Sequence, residues 1–195
     1  MPDIDGELPI PLLTAIGRVA TTSSQLEAAL RRVVAELVGG DDAGWIIFEG
    51  QSVDWLIQNG LAVLGQHAEG SDGTMLSYGA PGNKLRELFR EADKLKGDRN
   101  TIVHGDWRTD CVGVAINEPE FCRPRSPETL RAEHVFHVVR SRYRKGFEEQ
   151  AWSIDDIEAV AATAATLAWE ISGTYREAVD SRYELFKAKY ASQDE

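Results

Sequence analysis

Apolar residues recur every three or four positions along most of this chain, which is the spacing of helices that bury one face. This pattern predicts helices over about 11–38, 52–66 and 83–104. A fourth and longest helix is predicted from 153, where Ser-Ile-Asp-Asp resembles a capping box, to about 187. The sequence therefore predicts a mainly α-helical protein whose helices form a bundle.

Two stretches between the third and fourth helices carry the β-branched and aromatic residues of strands instead. They cover residues 111–116 and 134–139, the second continuing toward Tyr143, and three prolines lie between them. We predict a small β-hairpin there, within an insertion at about 107–145. Because two strands alone are only marginally stable, this hairpin should lie on the helical body or on a partner.

Length and composition are those of an ordinary globular protein. The 195 residues include 43 % hydrophobic and 27 % charged residues, which predicts one domain over 1–195 with a frayed tail at 188–195. No apolar run is long enough for a transmembrane helix, and residues 1–10 lack the basic start of a secretory signal. Two cysteines, Cys111 and Cys122, are too few for a disulfide framework, so we expect a cytoplasmic protein with reduced thiols.

The chain is strongly acidic overall but basic in one segment. A formal net charge of -11 has the wrong sign for a protein that coats nucleic acid nonspecifically. Between residues 123 and 145, however, basic side chains far outnumber the two glutamates. This segment either flanks a narrow phosphate-binding cleft, with Arg140, Arg142 and Arg144 as substrate-binding residues, or is a solvated face.

The most unusual residues lie at the end of the third predicted helix. Continuing the helical register puts Arg99 on the same stripe as Ile102, where a core side chain is expected. Asn100 and His104 share a neighbouring face, and Gly105 offers a helix stop. A guanidinium on an apolar stripe is costly unless it faces a partner or a water-filled cleft. The alternative is an arginine that reaches solvent at a helix edge, beside a histidine that caps the last carbonyls.

Residues 99–104 resemble the signature of the HEPN superfamily, an arginine and a histidine separated by four to six residues. They read Arg-Asn-Thr-Ile-Val-His, and Asn100 matches the polar residue that often follows the arginine. The resemblance covers roughly 85–107, in helical surroundings that suit the family, and implies an antiparallel HEPN-like bundle. Many members are metal-independent endoribonucleases that act as dimers, with two motifs facing one cleft, whereas others keep the fold without demonstrated cleavage. The first helix often lends a polar residue to that cleft, for which Glu27 is a candidate; a surface glutamate is the alternative.

These residue types suit RNA cleavage, because RNA carries its own nucleophile in the 2′-hydroxyl beside each phosphate. Histidine can act as general base or general acid, and arginine can donate two N–H groups to phosphate oxygens. Asn100 would orient the phosphate or the imidazole. The resemblance thus implies Arg99, Asn100 and His104 as catalytic residues of a toxin or defence ribonuclease that needs no cofactor. Its expected partners are a second copy of the chain, an RNA substrate and a cognate antitoxin, and its products a 2′,3′-cyclic phosphate and a 5′-hydroxyl.

Two other functions stay open. A noncatalytic HEPN-fold module would bind a nucleotide, RNA or a protein partner, and the acidic charge favours it. An unrelated helical protein with an accidental motif is the third. Kinase, dehydrogenase and hydrolase functions have no support, since the chain lacks a phosphate-binding glycine loop, a dinucleotide fingerprint and a nucleophile elbow.

A zinc site would have to combine Cys111, Cys122, His134 and His137. Ten residues separate the two cysteines, far more than in zinc knuckles, so we expect no metal site. Trp107, directly after the motif, is interpreted as a packing anchor, with base stacking as the alternative.

Overall fold

The computed structural model describes residues 8–39, 46–68, 78–108, 135–142 and 146–191. Within these ranges the long helices are α1 (Ile10–Leu37), α2 (Val53–Ala68), α3 (Gly79–His104) and α4 (Ile154–Ala191). The strands are β1 (Asp106–Arg108), β2 (Val135–Arg142) and β3 (Gly146–Ser153), which form one antiparallel sheet in the order β1-β2-β3. The prediction of a mainly α-helical protein with a small β insertion is confirmed. Among the described residues, no helix has both the length and the apolar content needed to cross a bilayer.

Helix α3 begins at Gly79, four residues before the predicted start at residue 83. Gly79 has a φ of 62°, and the amide of Gly82 donates to the carbonyl of Tyr78 at 3.3 Å, which closes the first turn. Pro81 lies in that first turn, where its missing N–H is not needed. Residues 79–82, which precede the predicted helix, therefore belong to its first turn, whereas 69–77 lie outside the described residues.

The sheet differs from the predicted hairpin in its partners. Strand β2 is close to the predicted 134–139 segment, whereas the predicted partner at 111–116 lies outside the described residues. Strand β3 is instead paired with β2 along its whole length, from Val135↔Ser153 to Arg142↔Gly146. Sequence reasoning missed β3 because glutamates and a glutamine at its centre have low strand propensity. Strand β1 was missed as well, since three residues are too short for an alternating pattern.

The capping box predicted at the start of α4 is confirmed. The amide of Asp156 donates to Ser153 Oγ at 3.1 Å, and the amide of Ser153 donates to Asp156 Oδ2 at 3.1 Å. Ser153 Oγ also donates to the same carboxylate at 2.6 Å, a hydrogen bond that lowers the pKa of Asp156. The charged carboxylate lies at the positive end of the helix dipole and stabilises the first turn of α4. This turn follows β3 with no residue in between.

The chain divides into two compact units. We call Met1–Thr22 with Lys96–Thr163 the motif unit, and Ser23–Leu95 with Ala164–Glu195 the companion unit. The prediction of a single domain with an insertion and a tail stays a prediction, although α4 continues past residue 188 to Ala191.

The motif unit has its own core. At its surface, an ion pair joins α1 to α4: Arg18 Nη1 donates to both carboxylate oxygens of Glu158 at 2.9 and 3.0 Å. The core itself consists of buried apolar side chains from three helices and the central strand. They are Leu12, Ala15, Val19, Ile102, Phe136, Val138, Ile157, Val160 and Ala161.

The companion unit is held by a larger apolar cluster that includes Leu30, Val34 and Phe89. At one side of it, Arg182 Nη1 donates to the hydroxyl of Tyr78 at 2.6 Å. Burial raises the pKa of Tyr175, and a hydrogen bond to Glu36 raises it further.

We expect Gly60→Ala to destabilise the companion unit by about 2 kcal/mol, because it overpacks a filled core. A Cβ at Gly60 would lie 2.2 Å from Phe89 Cε1 and 3.0 Å from Val34 Cγ2. Gly65, on the same helix, has no atom within 4 Å of a built Cβ, so Gly65→Ala should stabilise by up to about 1 kcal/mol. Thermal unfolding of both variants checks the pair, and equal midpoints would show that Gly60 is not tightly packed.

Candidate functional site

The last turn of α3 brings together the three residues predicted as catalytic. Arg99 Nη1 donates to Asn100 Oδ1 at 2.8 Å and lies 3.4 Å from His104 Nε2. Ile102 is fully buried, whereas Arg99 and Asn100 are half-buried and His104 is exposed. The apolar stripe therefore delivers Ile102 to the core and leaves the guanidinium at the edge of the helix, within reach of solvent.

The contacts of Arg99 set the orientation of its neighbours. The Nη1 group of Arg99 faces Nε2 of His104. Because Asn100 Oδ1 accepts from Arg99, its Nδ2 group is left as the donor of that amide. Among the described residues, Arg99 forms no ion pair with a carboxylate. The set thus presents positively polarised N–H groups that have no carboxylate ion-pair partner in the part of the chain that the structure describes.

Two residues fix the helix end against the sheet. Gly105 follows the last helical residue, and its amide donates to the carbonyl of Thr101 at 2.9 Å. A Cβ at this position would lie 2.1 Å from Val138 Cγ2 and 2.5 Å from the Thr101 oxygen, so the close approach requires glycine. The indole of Trp107 donates to the carbonyl of Ile102 at 2.9 Å, which is what the packing-anchor interpretation expects.

Arg140 lies beside the same turn of α3. It follows Phe136 and Val138 at every second position of β2, so its side chain shares their face. Its Nη1 donates to Thr101 Oγ1 at 3.4 Å, and that hydroxyl donates to the carbonyl of Gly97 at 3.1 Å. Of the three predicted substrate-binding residues, the structure brings Arg140 to the motif.

The other two arginines cannot be placed in the same way. Arg142 ends β2, but its side chain lies outside the described residues, and Arg144 lies outside them entirely. Thr101, in contrast, was not singled out by sequence reasoning. It is 2 % exposed and joins the motif helix to Arg140. The sequence feature that could have drawn attention to Thr101 is its position inside the motif, directly before the core residue Ile102.

Two further candidates have partners of their own. Glu27, in the companion unit, accepts from Arg31 Nη2 at 2.6 Å, an intrahelical pair one turn apart. His137 Nδ1 lies 3.1 Å from Glu149 Oε1 on the face of β2 opposite to Arg140. Cys111, Cys122 and His134 lie outside the described residues. Within the described ranges, no three His, Cys, Asp or Glu side chains cluster in a way that would hold a metal ion.

Comparisons of the chain with protein-family models, with curated protein sequences and with solved structures found no match. Assignment to the HEPN superfamily therefore rests on the resemblance of residues 99–104 and their helical setting, and belongs to the proposal that follows.

Proposed function

We propose that the protein is a metal-independent endoribonuclease of the HEPN type, acting as a toxin or in defence. The observation that carries the proposal is the position of the Arg99 guanidinium, in contact with both the Asn100 amide and the His104 imidazole. A guanidinium without a carboxylate partner can fork onto two phosphate oxygens. An exposed imidazole one turn away can then reach a proton on the same substrate group.

The proposed reaction needs only proton transfer and charge stabilisation. The 2′-oxygen of the RNA forms a bond to the adjacent phosphorus, and the bond from that phosphorus to the 5′-oxygen breaks. The proton of the 2′-hydroxyl passes to an imidazole, and the departing 5′-oxygen gains a proton from a second one. Arg99 and the Nδ2 group of Asn100 donate to the non-bridging oxygens, where negative charge accumulates. The products are a 2′,3′-cyclic phosphate and a 5′-hydroxyl.

A second copy of the chain would complete this site. One α3 supplies one His104, whereas the reaction uses an acid and a base at the same time. A twofold dimer that faces two Arg99–His104 sets toward one cleft provides both. Activity per chain should therefore fall on dilution, in step with the dimer fraction measured by analytical ultracentrifugation.

The test of the proposal is RNA cleavage without metal. Purified protein is incubated with total RNA in EDTA. The new 5′ ends are read by kinase labelling, and the new 3′ ends by ligation before and after removal of cyclic phosphate. We expect wild type to leave a 5′-hydroxyl and a 2′,3′-cyclic phosphate, and Arg99→Ala to leave RNA intact. Arg90→Ala is the matched control, because Arg90 is an exposed arginine of the same helix. Equal cleavage by all three proteins would identify a contaminating nuclease and contradict the proposal.

A noncatalytic binding module is the second candidate, and the net charge of -11 favours it. Strong overall repulsion of RNA is unfavourable for an enzyme that must capture it. Binding of RNA or a nucleotide that depends on Arg99, without cleavage by the folded wild-type protein, would support this function instead.

A further inference from the structure

Arg140 forms no ion pair with a carboxylate among the residues that the structure describes. It extends the buried face of β2 beyond Phe136 and Val138, and its side chain is half-buried. Its hydrogen bond, to a neutral hydroxyl at 3.4 Å, is long. Removing a guanidinium from water without a carboxylate partner costs free energy, so such a group is retained where an anion arrives.

The acidic residue beside Arg140 in the sheet register is hydrogen-bonded along its own strand. Glu148 is the cross-strand partner of Arg140 in the β2–β3 register. Its Oε1 accepts from Gln150 Nε2 at 3.0 Å, and Gln150 Oε1 accepts in turn from the indole of Trp152 at 3.2 Å. This chain of hydrogen bonds orients the carboxylate along β3, while Arg140 points to α3.

The order of side chains around α3 places Thr101, the residue that Arg140 contacts, on the other side of His104 from Arg99. At about 100° per residue, Asn100 and His104 fall between Arg99 and Thr101 around the helix axis. Arg99 reaches the His104 side of this arc, and Arg140 reaches Thr101. Arg99 and Arg140 thus both contact residues of the last turns of α3, Arg99 at His104 and Arg140 at Thr101.

We propose that Arg140 binds the RNA phosphate adjacent to the one held by Arg99, so that the site takes two consecutive phosphates of a single strand. The proposal rests on the proposed function for the identity of the ligand. Consecutive phosphates of one strand present the paired charges that two separated guanidinium groups can bind.

The experiment counts phosphates with probes that cannot be cleaved. Mixed-base 2′-O-methyl oligonucleotides of two, three and four nucleotides carry one, two and three phosphates. Each competes at low salt with a longer fluorescein-labelled 2′-O-methyl probe, and fluorescence anisotropy gives the affinity. In wild type we expect the second phosphate to improve affinity about tenfold, the scale of one hydrogen-bonded charge contact. The third phosphate should add much less.

The decisive variant is Arg140→Gln, with Arg90→Gln as its matched control. Arg140→Gln should lose the gain from the second phosphate and keep wild-type affinity for the dinucleotide, whereas Arg90→Gln should match wild type throughout. Equal weakening toward all three probes would overturn the proposal, because a structural role of Arg140 would act on every probe. An undiminished gain from the second phosphate, or no binding of any probe to wild type, would overturn it as well.

A measurement on wild type alone serves if Arg140→Gln does not fold. The salt dependence of binding should be steeper for the trinucleotide than for the dinucleotide, by about 0.7 in the logarithmic slope for one more phosphate contact on a single strand. Equal slopes would overturn the proposal. The two hypotheses fail separately: a gain from the second phosphate without cleavage of RNA in EDTA removes the ribonuclease function alone. Cleavage without that gain removes only the role of Arg140.

Discussion

Replacing His104 with alanine should reduce RNA cleavage by about 10²- to 10⁴-fold, the range expected when a general acid or base is removed. The expectation follows from the position of the imidazole, exposed at the end of α3 with Nε2 3.4 Å from Arg99 Nη1. Because the ring is exposed, its loss leaves no cavity, and the thermal midpoint should change little. The measurement is the initial rate on a labelled RNA in EDTA, beside a thermal melt.

The control for this prediction is His137→Gln. His137 lies on the face of β2 opposite to Arg140 and contacts Glu149, so cleavage should persist at the wild-type rate. A second readout is growth: expression of an active ribonuclease should slow a bacterial host, and His104→Ala should restore growth. Full cleavage by a folded His104→Ala protein would rule out His104 as a proton-transfer group.

Replacing Gly105 with alanine should cost about 2 kcal/mol of stability and slow cleavage by about 10²-fold. A Cβ there would overlap Val138 Cγ2 and the Thr101 carbonyl oxygen, which lie 2.1 and 2.5 Å from its built position. The last turn of α3 must then shift away from β2 and carry His104 with it. A displacement of about 1 Å at a catalytic group is enough for a rate loss of this size.

Gly97→Ala separates this packing effect from helix propensity. Gly97 is exposed on the same helix, with no atom within 4 Å of a built Cβ, so alanine should raise stability by up to about 1 kcal/mol and leave the rate unchanged. Chemical denaturation and cleavage rates are measured on both variants. If Gly105→Ala matched wild type in stability and rate, close contact with Val138 would not be what positions the motif.

The helical part of the fold and the motif could be predicted because both depend on local sequence. The apolar register of α3 placed Ile102 inside and Asn100 beside His104, and the structure has both features. The start of α3 was placed too late because Gly79 and Pro81 are typical of loops, although both are tolerated in a first turn. Local composition alone cannot separate these two uses of the same residues.

The sheet was harder to predict because its strands are defined by pairing rather than by their own pattern. Strand β3 has acidic and amide side chains at its centre and is a strand because β2 lies beside it. Thr101 was hard to predict for a similar reason. It matters because it contacts Arg140, which is distant in sequence but adjacent in space. Contacts between residues far apart in the chain leave no local periodic signal, so the sequence predicted Arg140 as a substrate-binding residue but not its contact with Thr101.

Because β1 pairs with β2, the motif unit should tolerate changes in the length of the segment that joins these two strands. Arg108 lies opposite His137, so residues 109–134 leave and return on two neighbouring strands. The ends of this segment are fixed by backbone hydrogen bonds whatever its length, and each doubling of a loop costs only about 0.6 kcal/mol. We therefore expect segments of different length and charge to be tolerated between Arg108 and Val135, because the end of α3 is held by the contacts of Gly105 and Trp107. Chimaeras with such segments would allow substrate preference to be changed independently of the cleavage chemistry.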